Sequence, residues 1–211
     1  MFSVIFDMDG TLLDTQKICI PAWEWAGENQ GIKGLGKELP NVCGMNINGW
    51  SAYLEEHYPT LDVDRFNKEI RGYVEDNLVV RFRTGGRELL TYLKQRGIKV
   101  GLASGSSRKS VDHHLKEVGI SDYFDATVAG DEVIKGKPAP DIFLITAEKM
   151  GVLPQDCYVF EDSVNGVKAA IAAGMKCIGF PDIATFPDDI KKLLADEINS
   201  LDGAIEIFEK I

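Results

Sequence analysis

Residues 3 to 15 read SVIFDMDGTLLDT. An apolar run over 4–6 stops at Asp7, a second acid follows at Asp9, and Gly10 and Thr11 come next. This is the pattern of a buried strand that ends by delivering two carboxylates to one place. Residues two apart on an extended segment point to the same side, so Asp7 and Asp9 face one pocket while Met8 turns away. Carboxylates that close repel, and at neutral pH they need a proton or a cation.

Outward from this stretch, four more β-rich apolar runs appear: IKVGLA (98–103), ATVA (126–129), CYVF (157–160) and KCIGF (176–180). Helical patterns separate them. Leu89, Leu90 and Leu93 precede the first of these four, and Val111, Leu115 and Val118 follow it. Ile142, Leu144, Ile145 and Met150 precede the CYVF run, and Val167, Ala170, Ile171 and Ala173 follow it. Near-continuous apolar strands alternating with helices predict an α/β fold, a parallel sheet with helices on both faces. Gly97, Gly119, Gly151 and Gly174 stand where those helices should end. Between residues 15 and 80 no strand-like run occurs. Residues 16–29 and 62–79 read as helices flanking the Gly-rich GIKGLGKELPNVCGMNING (31–49). The expected organisation is an α/β core of residues 1–14 and 81–211 with an inserted α-helical cap of residues 15–80.

The formal net charge of −10 argues against nucleic acid, which rewards clustered Lys and Arg, and against an anionic membrane surface. An anionic substrate would therefore need a local cation. Cys19, Cys43, Cys157 and Cys177 form no CxxC pair, and the last two lie in apolar runs as reduced core residues. The N-terminal apolar stretch is interrupted at Asp7, and no apolar run reaches ~18 residues. The expectation is a cytoplasmic protein, a monomer or small homo-oligomer, that engages neither nucleic acid nor membrane.

Ligands of parallel α/β sheets gather at the C-terminal ends of the strands. There the chain places Asp7 and Asp9, Ser104 within GLASGSS, Lys137 within KGKPAP, and Glu161 and Asp162 within FEDS. Clustered carboxylates call for a hard divalent cation, and Mg²⁺ with a few oxygen ligands fits better than the dense cage of calcium. Lys137, Ser104 and a helix starting near Ser106 or Ser107 offer a site for an anion beside that metal. Carboxylates, Mg²⁺ and an anion pocket together describe phosphoryl chemistry.

DMDGTLLD, ASGS, KGKPAPDIF and FEDSVNGVKAAIAAGM resemble the four signature segments of the haloacid dehalogenase (HAD) superfamily, in the branch with β-phosphoglucomutase and small sugar-phosphate phosphatases. The resemblance implies a HAD-like Rossmannoid core with a helical cap. It makes Asp7 the nucleophile that becomes an aspartyl phosphate, and Asp9 the acid–base that protonates the leaving alkoxide. It gives Mg²⁺ to the Asp7 carboxylate, the Asp9 carbonyl and Asp162, with Glu161 orienting a metal-bound water. Ser104, Lys137 and the backbone N–H groups of Met8, Asp9 and Gly105 would bind the phosphoryl oxygens. Substrate contacts are expected from Thr15, Asn46, Asn48, Trp50 and Arg108.

Each motif also has a plainer reading. Asp-Gly is often only a turn, Ser104 to Ser107 can serve as helix caps, and His113 and His114 lack a partner motif. GDEVIKGKP is not a P-loop, because Pro138 stands where the Mg²⁺-binding hydroxyl belongs, and GIKGLG follows no strand. The resemblance also implies, since the dehalogenases of the superfamily lack an acid at the position of Asp9, that a haloacid is not the substrate. Residues 42–48, VCGMNIN, carry no Lys or Arg to grip a second phosphate, although Arg65, Arg71 or Arg81 could compensate. The expected activity is hydrolysis of a small phosphorylated metabolite, a phosphomonoester of the sugar-phosphate kind. The alternative is β-phosphoglucomutase; a receiver-like signalling domain or a non-catalytic binding protein is the reading from a different class.

Overall fold

Val4, Ile5 and Phe6 are wholly buried, and their side chains part to opposite faces of one sheet. That is why the first run is apolar without alternation. The computed structural model describes residues 2–210. Its sheet has six strands: β1 (Ser3–Phe6), β2 (Val100–Ala103), β3 (Ala126–Val128), β4 (Cys157–Glu161), β5 (Lys176–Gly179) and β6 (Asp196–Glu197). All pair in parallel, in the order β3-β2-β1-β4-β5-β6. The parallel α/β architecture expected of the chain is therefore present.

Helices cover both faces. On the side of Val4 and Phe6 lie α5 (Gly86–Gln95), α6 (Arg108–Glu117) and α10 (Gly203–Phe208). On the side of Ile5 lie α7 (Asp141–Met150), α8 (Val164–Ala172) and α9 (Asp188–Lys191). Gly97, Gly119, Gly151 and Gly174 all have φ between 65° and 74°, the left-handed conformation in which helices commonly end.

A third apolar cluster stands apart from the sheet. Trp23, Leu54 and Phe66 form its fully buried centre. Around it pack α1 (Cys19–Glu28), α2 (Leu39–Val42), α3 (Ile47–His57) and α4 (Val63–Asn77). α3 lies partly in the stretch read as a Gly-rich connection. It begins because Asn46 caps it, the side chain accepting a hydrogen bond from Gly49 N at 3.0 Å. The chain leaves the sheet and returns through two segments tied together, Asp14 N donating to Arg81 O at 2.8 Å and Arg83 N to Leu12 O at 3.0 Å.

Connections run outward from β1 to β2 and β3, and in the opposite direction from β4 to β5 and β6. The order reverses between β1 and β4, where open α/β sheets bind their ligands. β1 runs straight into Asp7, whose N–H donates to Phe160 O on β4 at 3.0 Å, and β4 ends at Glu161. The topology alone thus brings two of the sequence-distant acids side by side.

Candidate active site

Lys137 joins the separate segments. Its ammonium donates to Asp7 Oδ1 at 2.6 Å, to Glu161 Oε1 at 2.5 Å and to Ala103 O at 3.2 Å. Asp7, Lys137, Glu161 and Asp162 are all buried. Glu161 has both oxygens engaged, because Oε2 accepts from the N–H groups of Asp162 and Ser163 and from the Ser163 hydroxyl. A side chain at Gly166 would overlap the Glu161 carboxylate, which explains the glycine at that position of α8. Asp162 Oδ1 accepts from Thr11 at 3.1 Å. Among the described residues, the second oxygen of Asp7 and that of Asp162 accept no hydrogen bond.

Three carboxylates and one ammonium leave two negative charges in a buried place. Asp7 is ion-paired, yet burial beside Glu161 and Asp9 outweighs the pull of Lys137 and pushes its carboxyl up to about 8. Burial, with Glu161 and Asp7 nearby, raises Asp162 well above the usual carboxylate range. Burial alone would lower the Lys137 ammonium, but Asp7 and Glu161 reverse that and raise it. Carboxylate oxygens of Asp7, Glu161 and Asp162 lie within 4.8 Å of one another. An all-oxygen donor set with two excess charges fits a hard dication. Because Glu161 is saturated by Lys137 and α8, Asp7 and Asp162 are the groups with free oxygens. The Asp9 carbonyl faces Gln16, whose Nε2 donates to it at 2.5 Å. Gly10, at φ 80°, makes the turn possible; a Cβ there would stand 2.5 Å from Asp162 Oδ2.

Asp9 is held by three hydroxyls. Thr15 donates to Oδ1 at 2.6 Å, and Ser104 and Ser106 both donate to Oδ2, at 2.9 and 2.8 Å. In the sequence Ser106 reads only as a possible helix start, and SGSS does not reveal which hydroxyl turns inward. Ser107 is the residue that caps α6, accepting from Ser110 N at 3.3 Å.

A cavity of about 620 Å³ opens over the acids, lined by Asp7, Asp9, Thr15, Gly105, Ser106 and Trp50 together with residues of α1, α3, α4 and α6. The remaining expected substrate contacts do not line it. Asn46 is buried as the cap of α3 and donates to Gly130 O at 3.2 Å. Asn48 is exposed on the first turn of α3. Arg108 is held by Asp112, Glu132 and Thr127 beside β3. Arg83 was not anticipated: its guanidinium donates to Gly10 O and Pro181 O and lies 3.8 Å from the Phe180 ring centre.

A model of the haloacid dehalogenase-like hydrolase family matches residues 3–174. The chain belongs to that family. It is 34% identical over 184 residues to the phosphorylated carbohydrates phosphatase of Thermotoga maritima, covering 84% of each chain. It is 36% identical over 183 residues to the fructose-1-phosphate phosphatase of Escherichia coli, covering 83% of this chain and 94% of that one. The structure of β-phosphoglucomutase from Clostridium difficile superposes with a TM-score of 0.80 at 25% identity, covering 100% of this chain and 96% of that one.

Proposed function

We propose that this protein is a Mg²⁺-dependent phosphatase that hydrolyses a small phosphomonoester of the phosphorylated-carbohydrate class through an aspartyl phosphate on Asp7. The observation that carries the reading is the contact of Lys137 with both Asp7 and Glu161 beside Asp9, Ser104 and Asp162. Two relatives above 30% identity that act on phosphorylated carbohydrates support the substrate class.

Lys137 holds the Asp7 carboxylate in place, and one of its oxygens attacks phosphorus. The new bond joins that oxygen to phosphorus, and the bond broken joins phosphorus to the alcohol oxygen. Asp9 supplies the proton that oxygen needs as it leaves, then removes one from the water that displaces Asp7. To bind the phosphoryl oxygens, Lys137 and Ser104 would have to turn toward them donors that here go to Asp7, Glu161 and Asp9. Asp7, Asp162 and the Asp9 carbonyl would hold Mg²⁺, whose charge offsets that of the phosphoryl oxygens. The helical segment 15–80 acts as the lid over the core of 1–14 and 81–211, and its closure keeps stray water from the acyl phosphate.

The test is phosphate release from p-nitrophenyl phosphate and fructose 1-phosphate, with Mg²⁺ and with EDTA. Release that needs Mg²⁺ is expected; none from either compound, or release indifferent to EDTA, would sink the reading. The similarity to β-phosphoglucomutase favours one second reading, isomerisation of β-glucose 1-phosphate. Of Arg65, Arg71 and Arg81, only Arg71 lines the cavity, while Arg65 pairs with Glu69. Glucose 6-phosphate formed in place of free phosphate would select the mutase.

A further inference from the structure

We infer that Arg83 is a positioning residue of the metal site, holding Gly10 so that Thr11 keeps Asp162 aimed at the cation. This rests on the phosphatase reading, in which Asp162 is a ligand of Mg²⁺. The Arg83 side chain is 12% exposed, and its guanidinium reaches across two loops. It donates to Gly10 O in the turn after β1, and to Phe180 O at 3.5 Å and Pro181 O at 3.1 Å in the loop after β5. It also pairs with Asp182 Oδ1 at 3.4 Å and lies over the Phe180 ring. In the sheet β4 stands between β1 and β5, and β4 ends at Glu161. The guanidinium therefore ties together the two loops that flank Asp162.

The turn after β1 lies directly against Asp162, since a Cβ on Gly10 would stand 2.5 Å from its Oδ2. Within the turn Gly10 N donates to Leu13 O, and Leu12 O accepts from Arg83 N. Arg83 thus grips the turn twice, by its backbone at Leu12 and by its side chain at Gly10. The carbonyl of Gly10 and the N–H of Thr11 belong to one rigid peptide plane. Fixing Gly10 O fixes the plane from which the Thr11 side chain starts. Thr11 is fully buried, and its hydroxyl donates to Asp162 Oδ1 at 3.1 Å. A guanidinium can serve all these acceptors because it presents five donors in a planar fork, whereas an ammonium has one nitrogen to share among them. Partners that orient a metal ligand from behind typically set metal affinity by about 10–100-fold.

The experiment titrates Mg²⁺ into the substrate-free protein by calorimetry and follows the thermal midpoint in EDTA. Arg83→Lys keeps the charge opposite Asp182 and loses the fork. Its Kd for Mg²⁺ should rise at least about tenfold, while its midpoint in EDTA stays near that of the wild type. Thr11→Val, which removes the hydroxyl and keeps the bulk, should weaken Mg²⁺ by a similar factor. Because both act along one path, the double variant should bind no worse than the weaker single one. A rise under about tenfold in Arg83→Lys, a midpoint that falls in step with affinity, or additive losses in the double variant overturns the inference and leaves the phosphatase reading standing. If Arg83→Lys does not fold, Arg83→Gln combined with Asp182→Asn removes both charges together and carries the same expected and contrary results. A wild type that binds no Mg²⁺ would remove the phosphatase reading and the inference with it.

Discussion

Asp7 and Asp9 differ in their surroundings more than in their chemistry. Asp7 is buried against Lys137 and Glu161, whereas Asp9 is partly open and bound by three neutral hydroxyls. That separation suits a nucleophile and a proton carrier. Replacing Asp9 with Asn keeps the shape and removes the transferable proton, and should lower kcat by ~10²–10⁴-fold. A normal steady-state rate would contradict the assignment. Asp7 also makes a pH prediction. Its carboxyl sits at about 8 when folded and 3.8 when unfolded, so its stabilising contribution to the metal-free fold is complete below the unfolded value and fades as pH rises through about 8. Added Mg²⁺ should therefore raise the thermal midpoint more above pH ~8 than near pH ~5, where protons compete for the same oxygens. An equal rise at both pH values would contradict it. At this scale the acids were legible because they end apolar strands, and Lys137 because it stands among glycine and prolines. Ser106 and Arg83 were not: whether a loop hydroxyl or an arginine turns inward depends on contacts nearly a hundred residues away in the chain.

Each strand end is carried by an element whose ends are chemically marked. Ser163 caps α8 by accepting from Gly166 N at 3.0 Å, and the same hydroxyl donates to Glu161. Asn46 caps α3 and reaches Gly130 on the opposite side of the seam. The seam is lined by glycines because backbone meets backbone there. A Cβ on Gly105 would stand 2.7 Å from Met45 O and 3.0 Å from Gly44 O. Gly105→Ala should force the 44–46 loop outward and cost about 10–100-fold in kcat/KM, with little change in thermal midpoint. Full activity would show that the loop need not seat there. Strands β1 to β5 could be read from their apolar runs. β6 could not: Asp196 and Glu197 are exposed and polar, and form a strand only because β5 presents a free edge. α3 escaped notice because only Leu54 of its eleven residues is buried, so it has no apolar stripe to read.

Across the whole molecule, the strand order and the helical segment act together. The reversal between β1 and β4 collects acids from both halves of the chain, and residues of α1, α3 and α4 line the cavity beside Asp7 and Asp9. The architecture was legible from the alternation of runs. The seating of that segment was not, because it depends on individual side chains rather than on patterning. Asn165 bridges the two parts, its amide donating to Asn41 O at 3.2 Å and to Cys43 O at 3.0 Å. Asn165→Ala should loosen that seating. Amide hydrogen exchange over residues 41–46 should quicken while the sheet stays protected. Unchanged exchange there would mean the contact is incidental. Among the described residues, no helix is long and apolar enough to cross a membrane.

The central claim is that Asp7 itself takes the phosphoryl group. A reaction quenched in acid during turnover, then reduced with borohydride, should convert residue 7 to homoserine, detected by peptide mass spectrometry, and the conversion should vanish without substrate. Conversion at any other carboxylate, or none at all while phosphate is being released, would contradict the account.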